Sequence, residues 1–253
     1  MVTFVGLNVV FLAANATDAA YLWFSLKLPL GITYSEFAQQ GAYRLIVAVV
    51  LAAVTITAFF RTGARQSESR GARFVAYFFT LQNAVVLIGA ARRLELYVTA
   101  YGLTRLRGAA FVWMVLVLAG FVTILWKLIA KKPFHFLLWA NTVTMVLALS
   151  AVSLMNIDGF IADWNVARYE EGKHKKIDVR YLEHLGEPAM PALVVLAKAD
   201  DREVSRRAEE CLNVVIELAR DRDGHWQSRT LRSRRDLDAA LREADARYIA
   251  HAD

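Results

Sequence analysis

Between its charged positions the chain carries five apolar runs, each long enough to be a membrane-spanning helix. A hydrocarbon core of about 30 Å takes roughly 17–25 residues of helix. The runs that meet this length are Thr3–Leu26, with Asp18 inside it; Tyr43–Phe60, entered at Arg44; Phe74–Ala91; Ala109–Trp126; and Phe134–Leu154. Aromatic residues sit near several of their ends, among them Tyr21, Trp23, Tyr43, Trp113, Trp126 and Trp139, as interfacial anchoring predicts. After residue 164 the pattern changes: charges crowd in and apolar residues recur at helical spacing. The expected architecture is all-α, a polytopic membrane bundle of about five transmembrane helices over 1–164, followed by a soluble helical tail over 165–253.

Within the tail, Met190, Leu193, Val194 and Ala197 repeat at helical spacing, and Pro191 is tolerable near a helix start. Asp200 and Asp201 then offer an N-cap, with Glu203 in the first turn. Val204, Ala208, Cys211, Leu212, Val215 and Ala219 form the facing stripe of a second helix. The pair resembles one HEAT-type helical hairpin, a unit that stacks into protein-binding solenoids but normally needs neighbours to bury its faces. A small helical cap built by the same packing rules is the other reading. A third helix is expected beyond Gly224, with Leu237, Leu241, Ala244 and Tyr248 on its apolar face and Arg234–Asp238, Asp238–Arg242 and Glu243–Arg247 pairs toward solvent.

Composition agrees with the pattern. The 253 residues are 57% hydrophobic and 11% aromatic with 4 prolines, and mean hydropathy is +0.33. That is too apolar for an ordinary soluble enzyme of this size. The first run lacks a basic n-region and carries Asn8, Asn15 and Asp18, so it is expected to stay in the protein rather than be cleaved as a signal peptide. The single cysteine, Cys211, excludes an internal disulfide and the usual cysteine-based zinc or iron–sulfur sets. Net charge is +6. The basic run Arg229–Arg235 is nearly cancelled by acidic neighbours over the tail, which argues for a solvated helix start and against a nucleic-acid partner.

Five crossings place the N-terminus and the tail on opposite sides. Lys27–Ala42, Arg92–Arg107 and the tail then share one face, and Arg61–Arg73 and Lys127–Lys132 the other. The plain connecting loops carry Arg61, Arg65, Arg70, Arg73, Lys127, Lys131 and Lys132 against Lys27. By the positive-inside rule those two loops are cytoplasmic and the tail periplasmic. The same arithmetic gathers charge at one membrane level: Asp18, Arg44, Arg92, Arg93, Arg105, Arg107 and Asp158, with Tyr101 among them. A charge facing hydrocarbon costs roughly 2.5–3.5 kcal/mol on insertion scales, so these side chains should turn inward and find partners. Two readings stand open. One is a structural ion-pair network that clips helix ends together. The other is an anion pocket in which forked arginine hydrogen bonds grip a phosphate or carboxylate such as a lipid head group. Within Tyr97–Gly108, Gly102 interrupts the helix continuing from the third run, and a short re-entrant or surface-lying connector is expected, its arginines snorkelling outward.

Four stretches carry a family resemblance: "GITYSEFAQQGAYRLI" (Gly31–Ile46), "YGLTRLR" (Tyr101–Arg107), "NIDGFIADWNVARY" (Asn156–Tyr169) and "IDVRYLEHLGEPAMPAL" (Ile177–Leu193). In that order and spacing the chain resembles a bacterial multi-pass membrane family defined only as a domain of unknown function, with a Tyr-Gly-Leu-Thr-Arg signature. The similarity runs from about residue 4 to residue 195. It implies a bacterial polytopic inner-membrane protein and supplies no activity. Members of that family often have further hydrophobic segments upstream, so this chain resembles a short version. Gln39 and Gln40 stand where a basic residue often precedes the glycine matched by Gly41, which counts against an essential charge there.

Motifs of catalysis are not found. The sequence has no Gly-rich phosphate loop, no Gly-x-Ser-x-Gly elbow and no His-Glu-x-x-His pair, and its five histidines lack ligand spacing. Asp158 and Asp163 lie five residues apart and would not share a helix face as an acid/base pair. Gln82, Asn83 and Asn141, inside apolar runs, read as interhelical hydrogen-bonding residues. The expectation is a non-catalytic, cofactor-free accessory, scaffold or regulatory subunit that contacts membrane lipid and meets a protein partner through residues 178–253. The alternative is a transporter or lipid-handling protein that binds an anion at the arginine cluster.

Overall fold

The structure, a computed structural model, describes residues 5–6, 8–13, 15–16, 70–172 and 176–223. The second expected span, the greater part of the first, the third tail helix, Asp18 and Arg44 lie outside the described residues. Every regular element among the described residues is helical. Short helical stretches lie within 5–16, followed by α1 (Arg70–Tyr101), α2 (Arg105–Ile129), α3 (Phe134–Leu154), α4 (Ile157–Glu170), α5 (Val179–Leu185), a 3₁₀ turn at Glu187–Ala189, α6 (Met190–Leu196) and α7 (Arg202–Asp223). Three of them, α1 over Phe74–Tyr101, α2 and α3, are long and apolar enough to cross a membrane, as expected of a membrane protein.

The chain divides into two compact units: Met1–Val98 with Leu106–Val152, and Thr99–Arg105 with Ser153–Asp253. In the first, Leu87 and Ala90 of α1 meet Met114 and Phe121 of α2 in a buried cluster, with Val117 and Ile124 packed around it. One stripe of α1 is apolar and outward: Phe74, Phe78, Leu81, Val85 and Ile88 recur at alternating four- and three-residue steps and are exposed. No residue of α3 is buried, and Leu138, Trp139, Met145, Val146 and Leu147 stand outward. Large apolar side chains on the outside and close contact inside reverse the arrangement of a water-soluble bundle, which is what a lipid solvent selects.

Polar groups within the first unit are used between helices. Gln82 donates through Nε2 to Asn8 Oδ1 at 2.7 Å, and Asn15 Nδ2 donates to the backbone oxygen of Gln82 at 3.1 Å. Phe11 meets Phe79 edge to face at 5.4 Å. Between α2 and α3, the Thr123 hydroxyl lies 3.4 Å from Asn141 Oδ1. A Cβ on Gly120 would approach the same oxygen at 3.5 Å. Small residues let the backbones come close, and amides satisfy the groups they bring together.

The second unit has an aliphatic core. Ile161, Ala162 and Val166 of α4, Leu182 of α5, Met190, Leu193 and Leu196 of α6, and Ala208, Leu212 and Val215 of α7 are almost wholly buried. Full burial of such aliphatic side chains contributes roughly 1.5–3 kcal/mol each before chain entropy is counted. α7 lies against α5 and α6, and α4 against α6 and the 3₁₀ turn. Asp201 Oδ1 accepts from the backbone N–H groups of Glu203 and Val204 and so starts α7 at the expected aspartate. Glycine is required at 159, where a Cβ would stand 2.3 Å from Asn156 Nδ2 and 3.2 Å from the Pro188 carbonyl; its absence lets the first turn of α4 approach the 3₁₀ turn.

Cys211, on α7, donates its thiol to Glu183 Oε2 at 3.2 Å. Burial first, and then the carboxylate, push its pKa up to about 11. The thiolate is the reactive form. Alkylation by iodoacetamide at pH 8 is therefore expected to run roughly a hundredfold slower than for a solvent-exposed thiol. A rate-against-pH profile for Cys211 that levels off near pH 9 would contradict this.

Candidate functional site

The stretch joining α1 to α2 is short. Only Gly102, Leu103 and Thr104 are non-helical, because α1 runs on through Arg92–Tyr97 to Tyr101 and α2 starts at Arg105. The surface-lying connector expected over Tyr97–Gly108 is thus a three-residue turn. Gly102 takes a positive φ of 81°, which glycine adopts without the Cβ penalty of other residues. The turn directs Leu103 inward, where it is 7% exposed.

Helix ends and tight turns leave backbone N–H and C=O groups without partners, and where burial excludes water these must be satisfied by protein. Here side chains of the second unit satisfy them. Asn165, itself 9% exposed, accepts from the Leu103 N–H at 2.8 Å and donates through Nδ2 to the Leu103 carbonyl at 2.9 Å. One amide matches both polar groups of one residue. The Arg105 N–H, at the start of α2, donates to the Tyr181 hydroxyl at 2.8 Å. Tyr181 is held in turn by the start of its own helix, where Asp178 Oδ1 accepts from the Tyr181 N–H at 3.0 Å. Last, Arg105 Nε donates to Asp158 Oδ1 at 2.6 Å, in the first turn of α4, whose N-cap Asn156 accepts from Gly159 N–H. The connector and α4–α5 thereby form a clamp of four hydrogen bonds.

The expected cluster divides as follows. Arg105 and Asp158 are brought together in the second unit. Tyr101 lies in the same unit and is 54% exposed. In the first unit Arg92 pairs with Glu95 at 2.6 Å, both side chains about half exposed; Arg93 is buried; and the Arg107 guanidinium stacks 4.2 Å from the Tyr97 ring centroid. Asp18 and Arg44 lie outside the described residues. Asn165 and Tyr181, which make most of the clamp, were not among the candidate residues. The signals were an amide set among Ile161, Ala162 and Val166 on a helix face, and a tyrosine three residues after a capping aspartate.

The ion pair itself is a minor contributor. Its side chains are 54% and 30% exposed, and pairs open to solvent are worth about 0–1 kcal/mol. Arg105→Gln is expected to lower stability by less than about 1 kcal/mol, read as a melting temperature in mild detergent close to that of the parent. A large drop would show that the guanidinium, and not the backbone bonds, holds the turn.

Over residues 1–196 the chain matches the family described as Domain of unknown function (DUF4153). Neither the curated proteins nor the solved structures give a match. The matched region takes in the Tyr101–Arg107 stretch, Asn165 and Tyr181, so every side chain of the clamp falls within it. With 1–196 of 253 residues covered, the chain belongs to the DUF4153 family.

Proposed function

We propose that this protein is a non-catalytic subunit of a bacterial inner membrane, acting as an accessory, scaffold or regulatory protein that presents its helical tail to a protein partner. The observation that carries this reading is the two-way hydrogen bond of Asn165 with Leu103. It joins two segments of the second unit that are distant in sequence, the 102–104 turn and α4, so the turn is built into the tail's own fold. A presented surface needs such fixing if its partner is to be positioned against the membrane. The loop charges favour a periplasmic tail.

The packing of α6 on α7 supports likeness to one HEAT-type hairpin, in which an outer helix face serves a neighbour. Val214 and Leu218, one turn apart on α7, are 42% and 58% exposed and lie to one side of the buried Ala208–Leu212–Val215 stripe. The test uses the full chain. Affinity isolation in mild detergent is expected to recover a stoichiometric companion that the double variant Val214→Asp, Leu218→Asp loses while keeping its melting temperature. Recovery unchanged by that variant, or no companion from native membranes, defeats the reading.

Against the alternative, an anion-binding transporter or lipid-handling protein, stand the internal engagements of its arginines. Arg105 is spent on Asp158, Arg92 on Glu95, and Arg107 lies on Tyr97.

A further inference from the structure

The second unit begins where apolar helices end: Tyr101 closes α1, Arg105 opens α2, and Leu154 closes α3. Its large exposed apolar side chains are not spread evenly. Leu154 is 83% exposed, Met155 60% and Phe160 55%. All three fall in the seven residues that lead from the last membrane-length helix into α4. Beyond this first turn the outward face of α4 changes character, carrying Asp163, Ala167 and Glu170 as exposed positions. Among these positions Trp164 carries the Arg168 guanidinium 4.9 Å from its ring centroid. An apolar end followed by a segment that mixes carboxylates with an aromatic and its stacked cation is what a helix shows as it passes from acyl chains through the head groups to water.

We propose that the entry to α4, from Met155 through its first turn, is an interfacial anchor for the tail domain: Met155 and Phe160 enter the boundary between acyl chains and head groups, and Trp164 with Arg168 marks the head-group level. The occupant is bilayer lipid, because Leu154 and Met155 stand at the very end of a membrane-length helix and Phe160 lies within the next two turns of chain. An aqueous protein partner would instead be expected to use apolar surface farther from that end, such as Leu218. The anchor stands whether or not a partner protein docks on α7. Its chemistry asks for no particular head group, since the contact is apolar area with an amphipathic rim.

The test is depth measurement by spin labelling of the full chain, with Cys211→Ala as background, in vesicles of mixed phosphatidylethanolamine and phosphatidylglycerol. Labels are placed at Phe160→Cys, Met155→Cys, Ala167→Cys and Leu218→Cys, with Met145→Cys inside α3 as the acyl reference. Collision with oxygen, which concentrates in the acyl region, is compared with collision with a water-soluble nickel chelate. The oxygen-to-nickel ratio is expected to be several-fold higher at 155 and 160 than at 167 and 218, approaching that at 145. A label at 160 and at 155 as open to nickel as that at 218 overturns the proposal. So does an oxygen preference equally strong at 218, which would mean that the tail as a whole, not this turn, meets the bilayer. All labelled positions are exposed, so the substitutions spare the packed core, and two independent sites in the patch guard against one that misfolds.

Discussion

Asn165→Ala is expected to cost roughly 2–4 kcal/mol, since it removes two hydrogen bonds and leaves the Leu103 N–H and C=O without their partners in a buried turn. Each bond taken alone is worth about 1 kcal/mol net, because the unfolded chain bonds to water instead. The larger part of the loss comes from the asymmetry: Leu103 is 7% exposed, and a buried backbone group left unbonded carries its desolvation penalty of about 1–3 kcal/mol. Ordered water entering the space vacated by the amide would recover some of this, which is why the lower end of the range is kept. In mild detergent the change should appear as a fall in melting temperature on the order of 5–15 °C, together with proteolytic cleavage near residues 102–104 that the parent resists. Asn165→Asp separates the two bonds, because a carboxylate still accepts from the Leu103 N–H but cannot donate to its carbonyl. It should fall between the parent and alanine. A melting temperature for Asn165→Ala within a degree or two of the parent would mean that the turn is held by something other than this amide.

The three apolar helices described here could be read from the spacing of charges, because the length needed to cross hydrocarbon is a physical constant of the solvent and charges mark where a span must end. The ends themselves were less legible. Arg92 and Glu95 stop the apolar run after Ala91 but not the helix, since an exposed i, i+3 pair supports further turns, and α1 continues to Tyr101. Hydropathy reports where lipid ends, whereas hydrogen bonding decides where a helix ends. The start of α7 and its buried stripe were legible for the complementary reason: an aspartate cap and a repeating aliphatic face are local patterns.

The site was half legible. Arg105 and Asp158 drew attention because charge near a membrane is costly and must be answered. Asn165 and Tyr181 did not, because their partners are backbone atoms of Leu103 and Arg105, 62 and 76 residues away. A backbone N–H has no signature of its own in a sequence, and an amide on an amphipathic helix reads as solvated until the fold shows what lies opposite. The conspicuous arginine supplies a half-exposed ion pair, while the two inconspicuous side chains satisfy the backbone. That ordering follows from magnitudes: an orphaned buried backbone group outweighs a surface ion pair by about 1–2 kcal/mol.

Gly102→Ala is expected to cost roughly 2–4 kcal/mol, and its partition is testable. One part is intrinsic to the backbone. With φ at +81°, an alanine Cβ crowds the carbonyl that follows, for about 1–2 kcal/mol. The other part comes from packing, since the added Cβ would lie 2.8 Å from Asn165 Oδ1, inside contact distance. The end of a free asparagine could swing away at little cost. This one is held at both ends by Leu103, so moving it forfeits the same two bonds that Asn165→Ala removes. The two substitutions must therefore couple. In an Asn165→Ala background the clash is gone and Gly102→Ala should cost only the backbone part, so the double variant is expected to be more stable than the sum of the single losses implies, by about 1–2 kcal/mol. The cycle is read from apparent melting temperatures of the four proteins in one detergent. Strict additivity would place the turn and the amide out of contact, and would remove the clamp as the feature that holds the 102–104 turn to α4 within the second unit.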